Sequence, residues 1–436
     1  MNYRDGEDIL EIAPQAKQRM VEILQPILEQ AEVGSDGYLD LASYEDLNAL
    51  EPVPSKAVRE ALVAMIGQRP ITAFIYDELM REFDRLGLGD QVEEGEVSPL
   101  TELVEDTWEL AKRLIAALEG LPRRYQIALE MPASLTRLFT AQVPVVEISE
   151  GMRLIARAPA GSTEEPIEKL PFSFIRPKWA DGTEAPAGTH VVLQIEFDGY
   201  ASDSSVTESV ADALEEAKAL MGSMVGHKII KVFGHAMGRP RPALRFVVRE
   251  VNRPEAVQRG ALSAEFSVLR SAPMRIYRDG GADAASWIEI AKGQLQGIGR
   301  IFERRSGKRL YGTLVLGSKW LLDSYLNHDK VLSYVQATVA LETLLGDHLQ
   351  SEKVGVGALL GNRCAYLIAE SLDERRQLLK SFADIYDVRS KIVHRGQSRL
   401  SDDDQHRLNQ LQRICGRVIL HETRLIAPAR PEPPKP

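Results

Sequence analysis

The hydrophobic repeat of this chain changes period twice, and those changes confine the fold more than any other feature. Through Ala16 to Leu28, Ala57 to Ile66, Ile71 to Leu86 and Leu100 to Leu118, apolar side chains recur at the spacing of a helix with one buried face. From Val143 the pattern shortens into strand-like runs: VPVVEIS, MRLIARA, FSFIRP, HVVLQIEF, IIKVFG, ALRFVVREV and AEFSVLRSA. One amphipathic helix, Val206 to Met224, interrupts them. Beyond Ala284 the helical period returns in SWIEIAKGQLQGIGRIFERR and LYGTLVLGSKWLLDSYL, then at Val331–Leu345, Gly355–Ala369, Glu374–Val393 and Asp402–Ile426. A chain of 436 residues exceeds one ordinary core. The expected architecture is multidomain and mainly α. It comprises a helical region over 1–140, an α+β domain over 141–282, an antiparallel helical bundle over 283–427 and a disordered proline-rich tail over 428–436.

Charge divides the chain in the same place. The net charge of −10 is made of about −16 in residues 1–150 and about +6 in the remainder. The first region is therefore a poor platform for nucleic acid. Residues 331–427 are nearly balanced, so any RNA contact there is local rather than a broad basic footprint. No run of about 18 apolar residues is present, and the acidic start MNYRDGEDILEI is unlike a signal peptide, so a cytoplasmic protein with no membrane association is expected. The two cysteines, Cys364 and Cys415, sit on or beside apolar helical arcs and read as buried free thiols.

Three helical segments break their own apolar arcs with a charge. Glu342 lies among Val331, Val335, Val339 and Leu345; Arg363 among Val356, Leu359, Leu360 and Leu367; Arg389 among Leu378, Phe382, Ile385 and Ile392. A guanidinium is seldom buried without a partner, so Glu342 is expected to be the buried partner of Arg363 or Arg389. Five residues after Arg389 comes His394, the side chain best suited to proton transfer near neutral pH. On a continuous helix the two would lie about 140° apart, whereas Ser390 and His394 would share a face.

The segments SYVQATVALETLLGD, NRCAYLI and IYDVRSKIVHRG, in that order, resemble the Apea-like HEPN domain family from Trp320 to about Glu422, roughly a quarter of the chain. The family pattern of an Arg, a short spacer and a His is matched by Arg389 and His394. Its preceding Ala-Leu-Glu-type segment is matched by Ala340 to Glu342, and its Arg-x-Ala by Arg363 and Ala365. Many relatives place Gly directly after the His, whereas here Arg395 precedes Gly396. The resemblance implies a metal-independent endoribonuclease that leaves a 2′,3′-cyclic phosphate and a 5′-OH. Arg389 and His394 would be catalytic, with Ser390, Glu342 and Arg363 in support. It also implies an RNA substrate, a homodimer through the C-terminal bundle, and a place in bacterial antiviral defence or a toxin system. A phage or partner-protein trigger would then act on residues 1–280. The alternative from another class is a catalytically silent HEPN dimer serving as a sensor or assembly module. A third reading puts an unrelated activity in the middle domain, for which no nucleophile or paired-carboxylate motif is visible.

Other motifs carry less. GVGALLG from Gly355 lacks the spacing and the preceding strand of a dinucleotide site and reads as a glycine-softened helix start. RIFERRSGKR from Arg300 reads as a solvated helix end, and the tryptophans as core. The histidines form no metal-ligand pattern, so no metal and no cofactor is expected. Ser401 with Asp404 is a capping arrangement for the last helix.

Overall fold

The computed structural model describes residues 10–35, 39–41, 44–157, 178–180, 183–185, 189–232, 243–253, 255–274, 284–305, 308–346 and 356–426. The chain is mainly α, with a sheet-containing middle region followed by helices. Its elements are α1 (Pro14–Glu29), β1 (Glu32–Gly34), β2 (Leu39–Asp40), α2 (Lys56–Ile66), α3 (Pro70–Leu86), β3 (Val97–Pro99), α4 (Leu100–Leu103), α5 (Thr107–Glu119) and β4 (Arg123–Met131). Then come β5 (Val145–Ser149), β6 (Met152–Arg157), β7 (His190–Gly199), α6 (Glu208–Gly226), β8 (Arg245–Glu250) and β9 (Ala256–Ala261). The last part holds α7 (Ala284–Gly299), β10 (Arg304–Arg305), β11 (Lys308–Arg309), α8 (Gly312–Leu326), α9 (Lys330–Leu345), α10 (Val356–Ile368), α11 (Leu372–Arg395) and α12 (Asp402–Ile426). No helix among the described residues is long and apolar enough to cross a membrane.

Several expectations change on this frame. The single helix expected over Leu100 to Leu118 is broken into α4 and α5, where Asp106 caps α5 by accepting from the Trp108 and Glu109 amides. Strand β4 lies inside the stretch that reads as helical, and β9 was not anticipated. AEFSVLRSA is a 3-10 helix over Ala264–Ser271, its buried Phe266 and Leu269 three residues apart as that helix requires. RIFERRSGKR is no helix end: after Gly299 come one 3-10 turn and the β10–β11 ladder. Ile230 of IIKVFG makes only an isolated bridge to Met274, and FSFIRP lies outside the described residues, as does the tail 428–436.

The described residues fall into two compact units, one holding 1–127, 196–213 and 247–259, the other 128–195, 214–246 and 260–436. In the first, α1, α2, α3 and α5 bury one apolar core around Met20, Leu24, Leu62, Phe74, Ile75 and Leu114. Glu78 there takes a bidentate pair of hydrogen bonds from Arg123 at 2.8 and 3.0 Å and a third from Arg81 at 2.5 Å. Six strands form a sheet in the order β5-β6-β7-β4-β8-β9, with β6 antiparallel to both β5 and β7.

In the second unit α6 comes close to two helices, and at the first of these contacts there is no room for a side chain. A Cβ on Gly222 would stand 1.9 Å from the Ser318 carbonyl oxygen of α8, and one on Gly226 would stand 3.5 Å from the Gly416 Cα of α12. Beside the first contact the Ser223 hydroxyl donates to Ser318 Oγ at 2.9 Å. Gly222→Ala is therefore expected to cost about 3 kcal/mol through overpacking against backbone, measured as a fall in unfolding free energy in denaturant.

Two titrating groups in this unit oppose one another. His227 is buried with Nδ1 2.9 Å from the Ser223 carbonyl, and burial pulls its imidazole down to about 4. Asp323 is pushed up to about 6 by burial, against the pull of Lys218 and Lys319. Above about 6.5 the histidine is neutral whether folded or unfolded. As pH falls from there towards 4, the unfolded chain takes a proton that the folded one refuses, and up to about 3 kcal/mol is lost. Asp323 acts in reverse: the folded state takes its proton first, so it adds stability as pH falls from about 6 towards 3.8. As pH falls across this interval, Asp323→Asn should make stability fall relative to the wild type and His227→Gln should make it rise relative to the wild type, both read from denaturant melts at fixed pH.

Candidate active site

Helices α8 to α12 share one core, in which Tyr334, Leu341, Leu360, Phe382, Ile385, Leu411 and Val418 are buried. The thiols of Cys364 and Cys415 lie in it as buried free cysteines, and burial pushes Cys364 up to about 12. Polar contacts fix the helices lengthwise. Tyr334 of α9 donates its buried hydroxyl to the Ile385 carbonyl of α11 at 2.9 Å. Arg417 of α12 reaches Glu374 at 2.7 Å and the Ile368 carbonyl at the end of α10 at 2.5 Å. The start of α12 is a capping box: the Asp404 amide donates to Ser401 Oγ and the Ser401 amide to Asp404 Oδ2, both at 3.2 Å.

Gly357 and Gly361 of GVGALLG are part of this packing. A Cβ on Gly357 would meet Tyr386 Cγ at 2.8 Å, and one on Gly361 would meet Phe382 at 3.2 Å. These positions form a seat into which the two aromatics of α11 fit, one turn apart, their rings stacked at 6.3 Å and 14°. The motif does lie at a helix start, as expected, since α10 begins at Val356, and its glycines at 357 and 361 also let α10 and α11 close on one another.

Three residues beyond Tyr386, on the same face, stands Arg389. Its Nη2 is 3.6 Å from Glu342 Oε1 on α9, and the Tyr386 hydroxyl donates to that same oxygen at 3.5 Å. The expected pairing of an acid with an arginine thus falls to Arg389. It is not deeply buried, however: the two side chains keep 32% and 30% of their exposure. Glu342→Ala is accordingly expected to cost about 1 kcal/mol, well short of the 3–5 kcal/mol that goes with a buried charge left alone, with denaturant melts as the measurement. Arg363 donates from Nη1 to the Leu345 carbonyl at 2.7 Å, closing the last turn of α9.

Helix α11 does not stop at the histidine. It continues through Arg395 and ends at Gly396, whose φ of 66° and ψ of 31° make the left-handed cap, with the Gln397 amide donating to the Lys391 carbonyl at 3.2 Å. His394 is consequently exposed on the last helical turn, about 140° around from Arg389 and one turn from half-buried Ser390. The structure brings Arg389 and Glu342 together, with Tyr386, which sequence reasoning missed, and leaves His394 on a separate face. On α11 the two side chains therefore leave the helix about 140° apart. Among the described residues no group of three or more His, Cys, Asp or Glu side chains is disposed to hold a metal ion. Compared with models of protein families, with curated proteins and with solved structures, the chain matches none.

Proposed function

We propose that this protein is a HEPN-type endoribonuclease whose site is completed by two chains. The observation that supports the reading is the end of α11. There a partly exposed arginine held by a carboxylate and an exposed histidine lie five residues apart on one unbroken helix. In the proposed reaction the 2′-oxygen of a ribose attacks its own phosphorus while the bond to the 5′-oxygen breaks. His394 of one copy takes the hydroxyl proton, Arg389 at that phosphate comes from the other copy, and the leaving oxygen takes a proton from solvent, to which the imidazolium returns its own. Arg389 lends charge-assisted hydrogen bonds to the phosphorane oxygens, and Ser390, on the histidine's face, holds the imidazole or a phosphate oxygen. Water is not consumed in this step, and the products are a 2′,3′-cyclic phosphate and a 5′-OH. Residues 1–280 would sense a trigger, of phage or partner-protein origin, in an antiviral or toxin role within the cytoplasm. That part rests on analogy with the family.

The test is incubation of the purified chain with total cellular RNA in EDTA, followed by analysis of the ends. Fragments carrying cyclic phosphate and 5′-OH are the expected result. Absence of cleavage, or ends of the opposite kind, rejects the reading. One observation favours the silent HEPN dimer instead: Arg389 already has a partner in Glu342, as an arginine that merely ties α9 to α11 would. An intact RNA pool with a stable dimer is the result that would select it.

A further inference from the structure

We infer that Tyr386 is a positioning residue of the proposed site, acting through Glu342 to fix the direction in which Arg389 presents its guanidinium. The inference rests on the ribonuclease reading for its activity readout and on geometry for the rest. An aromatic ring is what the seat at Gly357 and Gly361 selects, and Phe382 fills the neighbouring place with no hydroxyl at all. A phenylalanine would suffice at 386 if packing were the only demand. The hydroxyl instead reaches the one carboxylate oxygen that also faces Arg389, at 3.5 Å against 3.6 Å for Arg389 Nη2.

Burial, and then the charge of Glu342, push the phenol well above its ordinary range, so it stays protonated and remains a donor. One carboxylate oxygen thus meets both a phenol that stays protonated and the guanidinium. Backbone support lies one residue away, where Tyr334 grips the Ile385 carbonyl at 2.9 Å. Without the hydroxyl, Glu342 is free to rotate on its partly exposed stem, and Arg389, with about a third of its side chain in solvent, follows it.

The variant is Tyr386→Phe in the full chain, which keeps the ring in its seat and removes one oxygen. Expected is a fall in kcat on RNA of about tenfold with KM changed less than about twofold, since a misdirected arginine is felt in the transition state. In an Arg389→Ala background the same change should have no further effect on kcat. An unaltered kcat, or an equal loss in both backgrounds, overturns the inference. Should the wild-type chain cleave no RNA, the ribonuclease reading alone has failed, and the inference is decided by thermal melts. The loss of midpoint on Arg389→Ala must then be smaller in the Tyr386→Phe background than in the wild type. Equal losses mean that the phenol does not hold the pair.

Discussion

Replacing His394 by alanine is expected to remove RNA cleavage, a loss on the order of 10²-fold to 10⁴-fold, while leaving the fold intact. The two halves of that statement have separate origins. A proton-transfer group has no substitute on its face of α11: Ser390, one turn back, carries a hydroxyl, which is no base near neutral pH. The fold, by contrast, hardly depends on residue 394. Its side chain is exposed, and the helix end is fixed by the left-handed Gly396 and the Gln397 amide. An exposed substitution of this kind changes stability by about 0.5 kcal/mol or less. Cleavage rates and denaturant melts on one preparation check both halves. A folded variant that still cleaves at the wild-type rate rejects the site.

The second large effect is expected from mixtures. An Arg389→Ala chain and a His394→Ala chain should each be strongly impaired but measurable, yet when mixed and allowed to exchange they should recover a substantial part of wild-type cleavage. The reason is the turn of α11: about 140° separates the two side chains on one helix, so in the proposed site the arginine and histidine at one phosphate would come from different copies. A mixed dimer keeps one intact arginine and one intact histidine on opposite chains. Recovery should follow the fraction of mixed dimer measured by native mass spectrometry. No recovery despite complete exchange, or full activity in a monomer by light scattering, removes the shared site.

What the residues disclose in advance depends on whether one periodicity is left unmixed. Helix α12 is legible to the residue because Ser401 and Asp404 cap each other and the apolar stripe that follows has a solvated opposite face. Strand β4 is not: Tyr125, Ile127, Ala128 and Leu129 are all buried, so no alternation marks it, and it follows directly on the apolar arc of α5. The division of the chain into units was hidden for a related reason. Residues 196–213 and 247–259 belong with the first unit although more than sixty residues of chain separate them from it, and pattern along a sequence says nothing of such returns.

The candidate site shows the same contrast. Arg389 and Glu342 were visible as charges intruding on apolar arcs, and His394 as a residue off the arc. Tyr386 was invisible because an aromatic on an apolar arc looks like core. The signal that could have found it was two glycines four residues apart on α10, which mark a place where something large from another helix must fit.

That seat also turns α11 into a lever. Phe382 and Tyr386 are gripped in the middle of a helix of 24 residues, while His394 rides near its C-terminal end, about 12 Å further along at the rise of an α-helix. A tilt of about 5° at the fulcrum would swing the imidazole by about 1 Å, a displacement of the size that can cost on the order of 10² in rate. On the proposed reading, Gly357 and Gly361, which meet only Tyr386 and Phe382 of α11, would thereby set the aim of a side chain at the far end of the arm.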